Sequence, residues 1–377
     1  LEHIRAEGRD LVDLVLSNPT RAGLDYPSDL LAPLSHPRGL TYDPHPRGLE
    51  EARRAVMDDY GRRGLSVPAD RIVLTAGTSE AYSLLFRLFA DPDDEVLVPR
   101  PSYPLFDYLT RFDHLTARTY DLEYQGAWSI DVGSVERALT PRTKALLAVS
   151  PNNPTGSYVK GGELGRLATL CASRGVLLIV DEVFADYELR PGAGADAGRV
   201  VECREGLVVS LGGLSKSAGL PQVKLGWMAL AGSDDLIMWA LEGLELICDT
   251  YLTVSTPVQA AASDLLARAA PVRAQIQQRV IRNYQMLVRR SMETPACRVL
   301  DAEGGWYAVI QVPTLGSEDD LVVDLANRHG VLAHPGYFFD FVRESYLIVS
   351  LLPAEPAFSE GVERIFRRFE RIQAERT

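Results

Sequence analysis

The chain has 377 residues, 39 basic against 51 acidic side chains, a formal net charge of −12 and 46% hydrophobic residues. Such a chain can bury a core of its own, which excludes disordered, collagen-like and coiled-coil architectures. The acidic balance argues against a nucleic-acid partner, and the longest aliphatic runs, such as Ala145–Val149 and Val176–Val180, fall far short of the ~20 residues of a membrane span.

From about Tyr42 the sequence alternates short apolar runs with amphipathic segments, the pattern of a largely parallel sheet covered by helices. Strands are expected at Ile72–Ala76, Glu95–Pro99, Ala145–Ser150, Leu177–Asp181, Leu207–Leu211 and Leu225–Leu230, with helices over Ser79–Phe89, Glu163–Ser173 and Asp235–Ile247. The Gly/Ala patch Pro191–Gly198 reads as an exposed loop. From Pro257 the texture changes: a long helix over Pro271–Ser291, strands at Trp306–Val312 and Tyr346–Leu352, and helices near Glu318–Arg328 and Phe358–Ile372. The expected class is α/β, with a large domain over residues 42–270. A smaller α+β domain takes residues 1–41 and 271–377, with Asp10–Leu34 joining it.

Cys171, Cys203, Cys248 and Cys297 lie far apart and form no CxxC, so reduced thiols in a cytoplasmic protein are expected, with no metal site. No signal peptide is visible; the sequence begins at Leu1 without a methionine, which leaves a leader open. Only Lys144, Lys160, Lys216 and Lys224 are lysines. An arginine-biased genome accounts for most of that skew, yet only a lysine amine can deprotonate and attack a carbonyl.

Four segments, each after an expected strand, carry chemistry. In Ile72-Val-Leu-Thr-Ala-Gly-Thr-Ser-Glu-Ala-Tyr82 a strand runs into Gly77 and a helix starts at once, presenting free N–H groups and the hydroxyls of Thr78 and Ser79 to an anion. A plain N-cap at Thr78 or Ser79 reads equally well. Ser150-Pro-Asn-Asn-Pro-Thr-Gly156 presents Asn153 rigidly at a strand end, where open α/β sheets bind ligands. Asp181 ends the aliphatic run Val176–Val180, a costly place for a carboxylate unless a cation meets it; capping the next segment is the plainer alternative. Lys216 lies among small residues in Leu211-Gly-Gly-Leu-Ser-Lys-Ser-Ala-Gly219, with Lys224 eight residues on; a surface loop is the plain reading of that segment alone. Together they supply a phosphate cradle, a ring-oxygen donor, a ring-nitrogen partner and an amine nucleophile, the parts that hold pyridoxal 5′-phosphate (PLP).

In these motifs, in their order and spacing, the sequence resembles the class I/II aminotransferases of the fold-type I PLP enzymes over nearly its whole length. The resemblance implies a mostly parallel seven-stranded sheet sandwiched by helices, with PLP as cofactor. It implies that Lys216 forms the internal aldimine and moves the proton, that Asp181 pairs with the pyridinium nitrogen, and that Asn153 bonds the ring hydroxyl oxygen. By the same resemblance Tyr103, in Pro99-Arg-Pro-Ser-Tyr-Pro104, stacks on the ring, while Gly77, Thr78, Ser79 and Ser215 belong to the cofactor site. Tyr42, in Tyr42-Asp-Pro-His-Pro-Arg-Gly48, matches a tyrosine that reaches the neighbouring subunit's phosphate, which implies a homodimer with shared sites. Val331–Phe338 looks like a substrate-side turn.

Four positions depart from the family pattern. Lys224 stands in place of a phosphate-binding arginine, keeping charge without the fork. Gly213 replaces a phosphate-contacting serine, and Phe184 a tyrosine that donates to the ring oxygen. Ile348, in Tyr346-Leu-Ile-Val-Ser-Leu-Leu352, takes the place of the arginine that clamps the substrate carboxylate. Asn18, Asn153, Arg21 (in Ser17-Asn-Pro-Thr-Arg21) and Arg343 are the substrate-side candidates in its stead. The expected function is PLP-dependent transfer of an amino group from a small-molecule donor to an oxo-acid acceptor. A PLP lyase, decarboxylase or cyclase on the same scaffold is the alternative, and a PLP-holding binding protein without turnover the third reading.

Overall fold

In the computed structural model, residues 10–376 are described apart from positions 315 and 344, with side chains to residue 371. After a two-residue strand β1 (Val12–Asp13), the chain forms α1 (Glu50–Arg62), β2 (Ile72–Thr75), α2 (Thr78–Phe89), β3 (Glu95–Arg100) and α3 (Leu105–Phe112). There follow β4 (Thr116–Tyr124), β5 (Trp128–Ile130), α4 (Val132–Ala138), β6 (Thr143–Val149), α5 (Gly161–Arg174) and β7 (Leu177–Asp181). Next come β8 (Leu207–Gly213), the single-turn α6 (Leu214–Ser217), β9 (Gly226–Gly232), α7 (Asp234–Tyr251), α8 (Thr256–Ala260) and α9 (Ala262–Arg268). The remainder is α10 (Ala270–Met292), β10 (Arg298–Val299), β11 (Tyr307–Gln311), α11 (Glu318–His329), β12 (Val331–Leu332), β13 (His334–Pro335), β14 (Tyr346–Ser350) and α12 (Glu355–Arg376).

Eight strands form one sheet in the order β2-β9-β8-β7-β6-β3-β4-β5. The run from β8 to β4 is parallel, β9 is antiparallel to both β2 and β8, and β5 is antiparallel to β4. The central strands are apolar throughout because both faces are covered. Leu146, Ala148, Leu178 and Val180 join one core with Val56, Leu167 and Val272, while the alternate Ala145, Leu147, Leu177 and Ile179 join another with Ala81, Leu85 and Leu244. The expected large sheet is therefore present; the short β5 at its edge and the reversed β9 make it eight-stranded and mixed.

A second, four-stranded antiparallel sheet runs β10-β11-β14-β13, and β1 pairs in parallel with β12 through Val12↔Val331. That pairing ties the N-terminal segment to the C-terminal third. Packing against α12 reinforces it: a Cβ at Gly361 would lie 2.8 Å from Val12 and 2.9 Å from Leu14. No helix among the described residues is long and apolar enough to cross a membrane.

Candidate active site at the carboxyl edge of the sheet

Parallel strands deliver their carboxyl ends to one edge, and there the chain encloses a cavity of about 360 Å³. At its floor β2 turns through Gly77 into α2, whose first-turn N–H groups have no intrahelical partner by construction. Thr78 and Ser79 line the cavity at this turn, with Lys224 opposite. A Cβ on Gly77 would lie 3.7 Å from Lys224 Nζ, which puts the ammonium at the helix N-terminus. Lys224 reaches this edge because β9 runs backwards: its first residue, Gly226, pairs with Thr75 on one side and Gly213 on the other. Lys224 holds a left-handed backbone (φ 57°), a strained choice for a side chain with a Cβ. Gly226 is dictated by packing, since a Cβ there would sit 2.8 Å from Gly77 Cα.

Asp181 ends β7 buried, with Oδ1 accepting the Val183 N–H (3.1 Å) and Oδ2 the Tyr82 hydroxyl (3.0 Å). Burial raises its carboxyl from 3.8 to about 6, against the pull of those two donors and of the Lys216 charge. Lys216, from α6, also lines the cavity, and burial lowers its amine pKa while Asp181 opposes the shift. The Nζ lies 5.4 Å from the centre of the Trp306 ring and 5.9 Å from that of Phe184. An amine desolvated by burial gives up its proton more readily and so becomes a better nucleophile.

The two asparagines after β6 separate in role. Asn152 builds the turn: its Oδ1 accepts from Thr155 Oγ1 (3.0 Å) and its backbone carbonyl from Gly156 N (2.8 Å). Gly156 must be glycine, because at φ 73° a Cβ would strike Ala302 and the Gly304 carbonyl at 2.7 Å. Asn153 instead lines the cavity, and its buried Oδ1 has no hydrogen-bond partner among the described residues. An orphaned amide is costly unless a ligand meets it. Tyr103, half-exposed, and Ser215 complete the expected set, with burial raising the Tyr103 pKa.

Other expected residues lie elsewhere. Asn18 caps the turn Pro19–Arg21 by accepting from Thr20 N (3.0 Å), and neither it, Arg21 nor Arg343 lines the cavity; all three are exposed. Tyr42, 77% exposed, borders a separate cavity of about 290 Å³ with His45 and Thr253; Glu80 lines both cavities. Ile348 is fully buried, in register with Val309 and His334, and Lys216 and Lys224 are the only cations among the described cavity-lining residues. Sequence reasoning missed Tyr82, Trp306, Tyr307 and Ser17. For Tyr82 a signal existed: it lies four residues after Thr78, on the same helical face.

The sequence profile described as aminotransferase class I and II matches residues 32–357. The chain belongs to this family. It is 26% identical over 380 aligned residues to the alanine aminotransferase of Mycobacterium tuberculosis, covering 96% of this chain and 86% of that one. It is 23% identical to the glutamate-pyruvate aminotransferase AlaA of Haemophilus influenzae (97% and 92% covered). In fold it is similar to an alanine aminotransferase from Pyrococcus furiosus (TM-score 0.88, 22% identity, 98% and 95% covered) and an aspartate aminotransferase of Thermus thermophilus (0.83, 24%, 97% and 94%). This aminotransferase is thus an enzyme of amino-group transfer, and its family implies PLP as the cofactor and an amino donor and oxo-acid acceptor as substrates.

Proposed function

We propose that the cavity holds PLP, with Lys216 as the reactive amine, and moves an amino group from a donor to an oxo acid. One observation carries this: an amine of lowered pKa, a buried carboxylate needing a cation and an asparagine whose amide oxygen has no partner among the described residues converge on one cavity beside a helix N-terminus. PLP supplies an electron sink for the substrate carbon. Asp181 would keep the ring nitrogen protonated, with the Tyr82 hydroxyl holding that carboxylate in place. Asn153 would donate to the ring oxygen through its amide Nδ2. Thr78, Ser79, Ser215, Lys224 and the N–H groups after Gly77 would hold the phosphate, and Tyr103 and Phe184, which line the same cavity, would flank the ring. Lys216 would take the proton from the substrate carbon and deliver it to the cofactor carbon, the shift that amino-group transfer requires.

Borohydride reduction followed by peptide mapping tests the reading: the label belongs on Lys216, and a label elsewhere overturns it. Conversion to the pyridoxamine form with alanine or glutamate, the donors suggested by the relatives' names, is the expected signature of transfer. A lyase, decarboxylase or cyclase is the second reading on one observation: no arginine lines the cavity among the described residues to pair a substrate carboxylate. Release of ammonia or carbon dioxide without the pyridoxamine form would favour it.

We also propose a homodimer with shared sites, supported by the exposed Leu40, Tyr42, Leu246 and Tyr251; light scattering showing a monomer would remove it. We further propose two domains dividing near residue 270, supported by the separate sheets and the Val12↔Val331 pairing. A cytoplasmic setting is supported by four unpaired thiols.

A further inference from the structure

Side chains from three distant parts of the chain hold the backbone that carries Lys216. The Tyr187 hydroxyl donates to the Lys216 carbonyl (2.6 Å) and lies 3.1 Å from the Ser217 carbonyl. Arg273 Nε, from α10, donates to the same Ser217 carbonyl at 2.8 Å. The Tyr26 hydroxyl donates to the Gly219 carbonyl at 2.7 Å. In the four-residue α6 the Ala218, Gly219 and Leu220 N–H groups go to the Leu214 and Lys216 carbonyls, while the Ser217 carbonyl is met from outside by Tyr187 and Arg273.

Each holder is itself held. Tyr187 is fully buried and its ring packs 5.3 Å from Trp306, the residue that also flanks the Lys216 amine. Arg273, nearly buried, faces Asp59 at 3.5 Å and Asp186 at 3.7 Å, and Asp186 also takes Arg62 at 2.5 Å. Gly219 is pressed so closely that a Cβ would lie 3.0 Å from the Tyr26 hydroxyl and 3.1 Å from Ile276 and Val272 of α10. One end of the lysine is thus braced through its carbonyl, the other through the aromatic wall.

We propose that Tyr187 and Arg273 are positioning residues that fix the Lys216 backbone so that its amine reaches the reacting carbon. This rests on Lys216 being the reactive amine. A lysine side chain has four rotatable bonds, so the aim of Nζ is only as good as the Cα from which it extends. Without the Tyr187 hydroxyl the Lys216 carbonyl keeps only N–H donors of its own turn, Ala218 and Gly219 (3.2 Å), and the turn is free to shift. Neither Tyr187 nor Arg273 lines the cavity, so their loss falls on kcat and not on donor binding.

The test is Tyr187→Phe in the full chain, which keeps the ring against Trp306 and removes both hydroxyl contacts. Hydrogen exchange at the Ala218, Gly219 and Leu220 amides of the cofactor-free protein is expected to speed up about 10-fold, and the donor half-reaction to slow about 10-fold with KM within about twofold. Arg273→Lys, which keeps the charge facing Asp59 and Asp186 but not the Nε contact, is expected to change both readouts in the same direction; if Tyr187→Phe does not fold, it alone decides. Unchanged exchange and kcat, or a change confined to KM, would overturn the brace. Borohydride labelling of the wild type is run alongside: absence of label at Lys216 refutes the functional reading, whereas label with unaltered variant behaviour refutes only the brace.

Discussion

The Tyr82 hydroxyl donates to Asp181 Oδ2 at 3.0 Å, linking the helix that opens at Gly77 to the strand end 99 residues later. The two ends of the proposed cofactor site, phosphate turn and ring-nitrogen partner, are therefore mechanically one unit. A shift of α2 would turn the carboxylate.

That pairing gives a pH prediction for the cofactor-free protein. The folded Asp181 carboxyl titrates near 6, above its ordinary value of 3.8, so its contribution to stability is fully present below about pH 4 and is lost as pH rises through 6. The total is about 3 kcal/mol, of which about 1 kcal/mol is lost between pH 5 and 7.5. Urea unfolding of wild type and Asp181→Asn at those two pH values should show wild type losing that much relative to the variant. A difference independent of pH would mean that the carboxyl is not raised. Tyr82→Phe, which removes a donor to the charged form, should push the titration higher still.

Lys224 gives a prediction about anion affinity. Its ammonium at the α2 N-terminus is a point charge, so Lys224→Arg should hold PLP within about threefold, while Lys224→Ala should weaken it about 30-fold, the worth of a charge-assisted contact. Equilibrium dialysis with PLP measures this, and competition by inorganic phosphate should weaken in parallel. Equal affinity in wild type and Lys224→Ala would remove the lysine from the phosphate site.

How far the sequence led follows from where the physics is local. Leu177–Asp181 was legible to the residue because a strand buried on both faces is a bare aliphatic run, and Asp181 marks its end. β4 was missed because Thr116–Tyr124 carries Arg118, Asp121 and Glu123 near the sheet edge, where exposure removes the apolar signal. The reversed β9 could not be read locally either, since strand direction depends on the Thr75↔Gly226 and Gly213↔Gly226 pairings across the fold. Ten expected cofactor-site residues line one cavity: nine lie at or after a strand's carboxyl end, and Lys224 precedes the reversed β9. Asn18, Arg21 and Arg343 had no such anchor in the sequence, and the structure leaves them outside it.

Gly226 ties the antiparallel strand to the phosphate turn by contact alone. Gly226→Ala would drive a methyl to 2.8 Å from Gly77 Cα and 3.0 Å from its carbonyl carbon, both backbone atoms that cannot rotate away. Overpacking of this kind costs about 1–3 kcal/mol, and the displaced Gly77 should lower PLP affinity as well. Thermal unfolding with and without PLP separates the two effects. A variant as stable as wild type in both states would show that the turn yields freely.

The last prediction concerns substrate choice. A site built to pair a carboxylate rejects an analogue lacking it by about 10⁴-fold, because the buried partner is left unpaired. Here Ile348 is fully buried between Val309 and His334, and no arginine lines the cavity among the described residues. A donor's carboxylate would then be desolvated without a cation, which removes the usual advantage of the amino acid over its decarboxylated amine. Comparing kcat/KM for an α-amino acid and for the amine of the same skeleton should give values within about 10-fold of each other. A preference of 10³-fold or more for the amino acid would place a cation at the carboxylate, and the exposed Arg21 and Arg343 would be the first to replace by methionine.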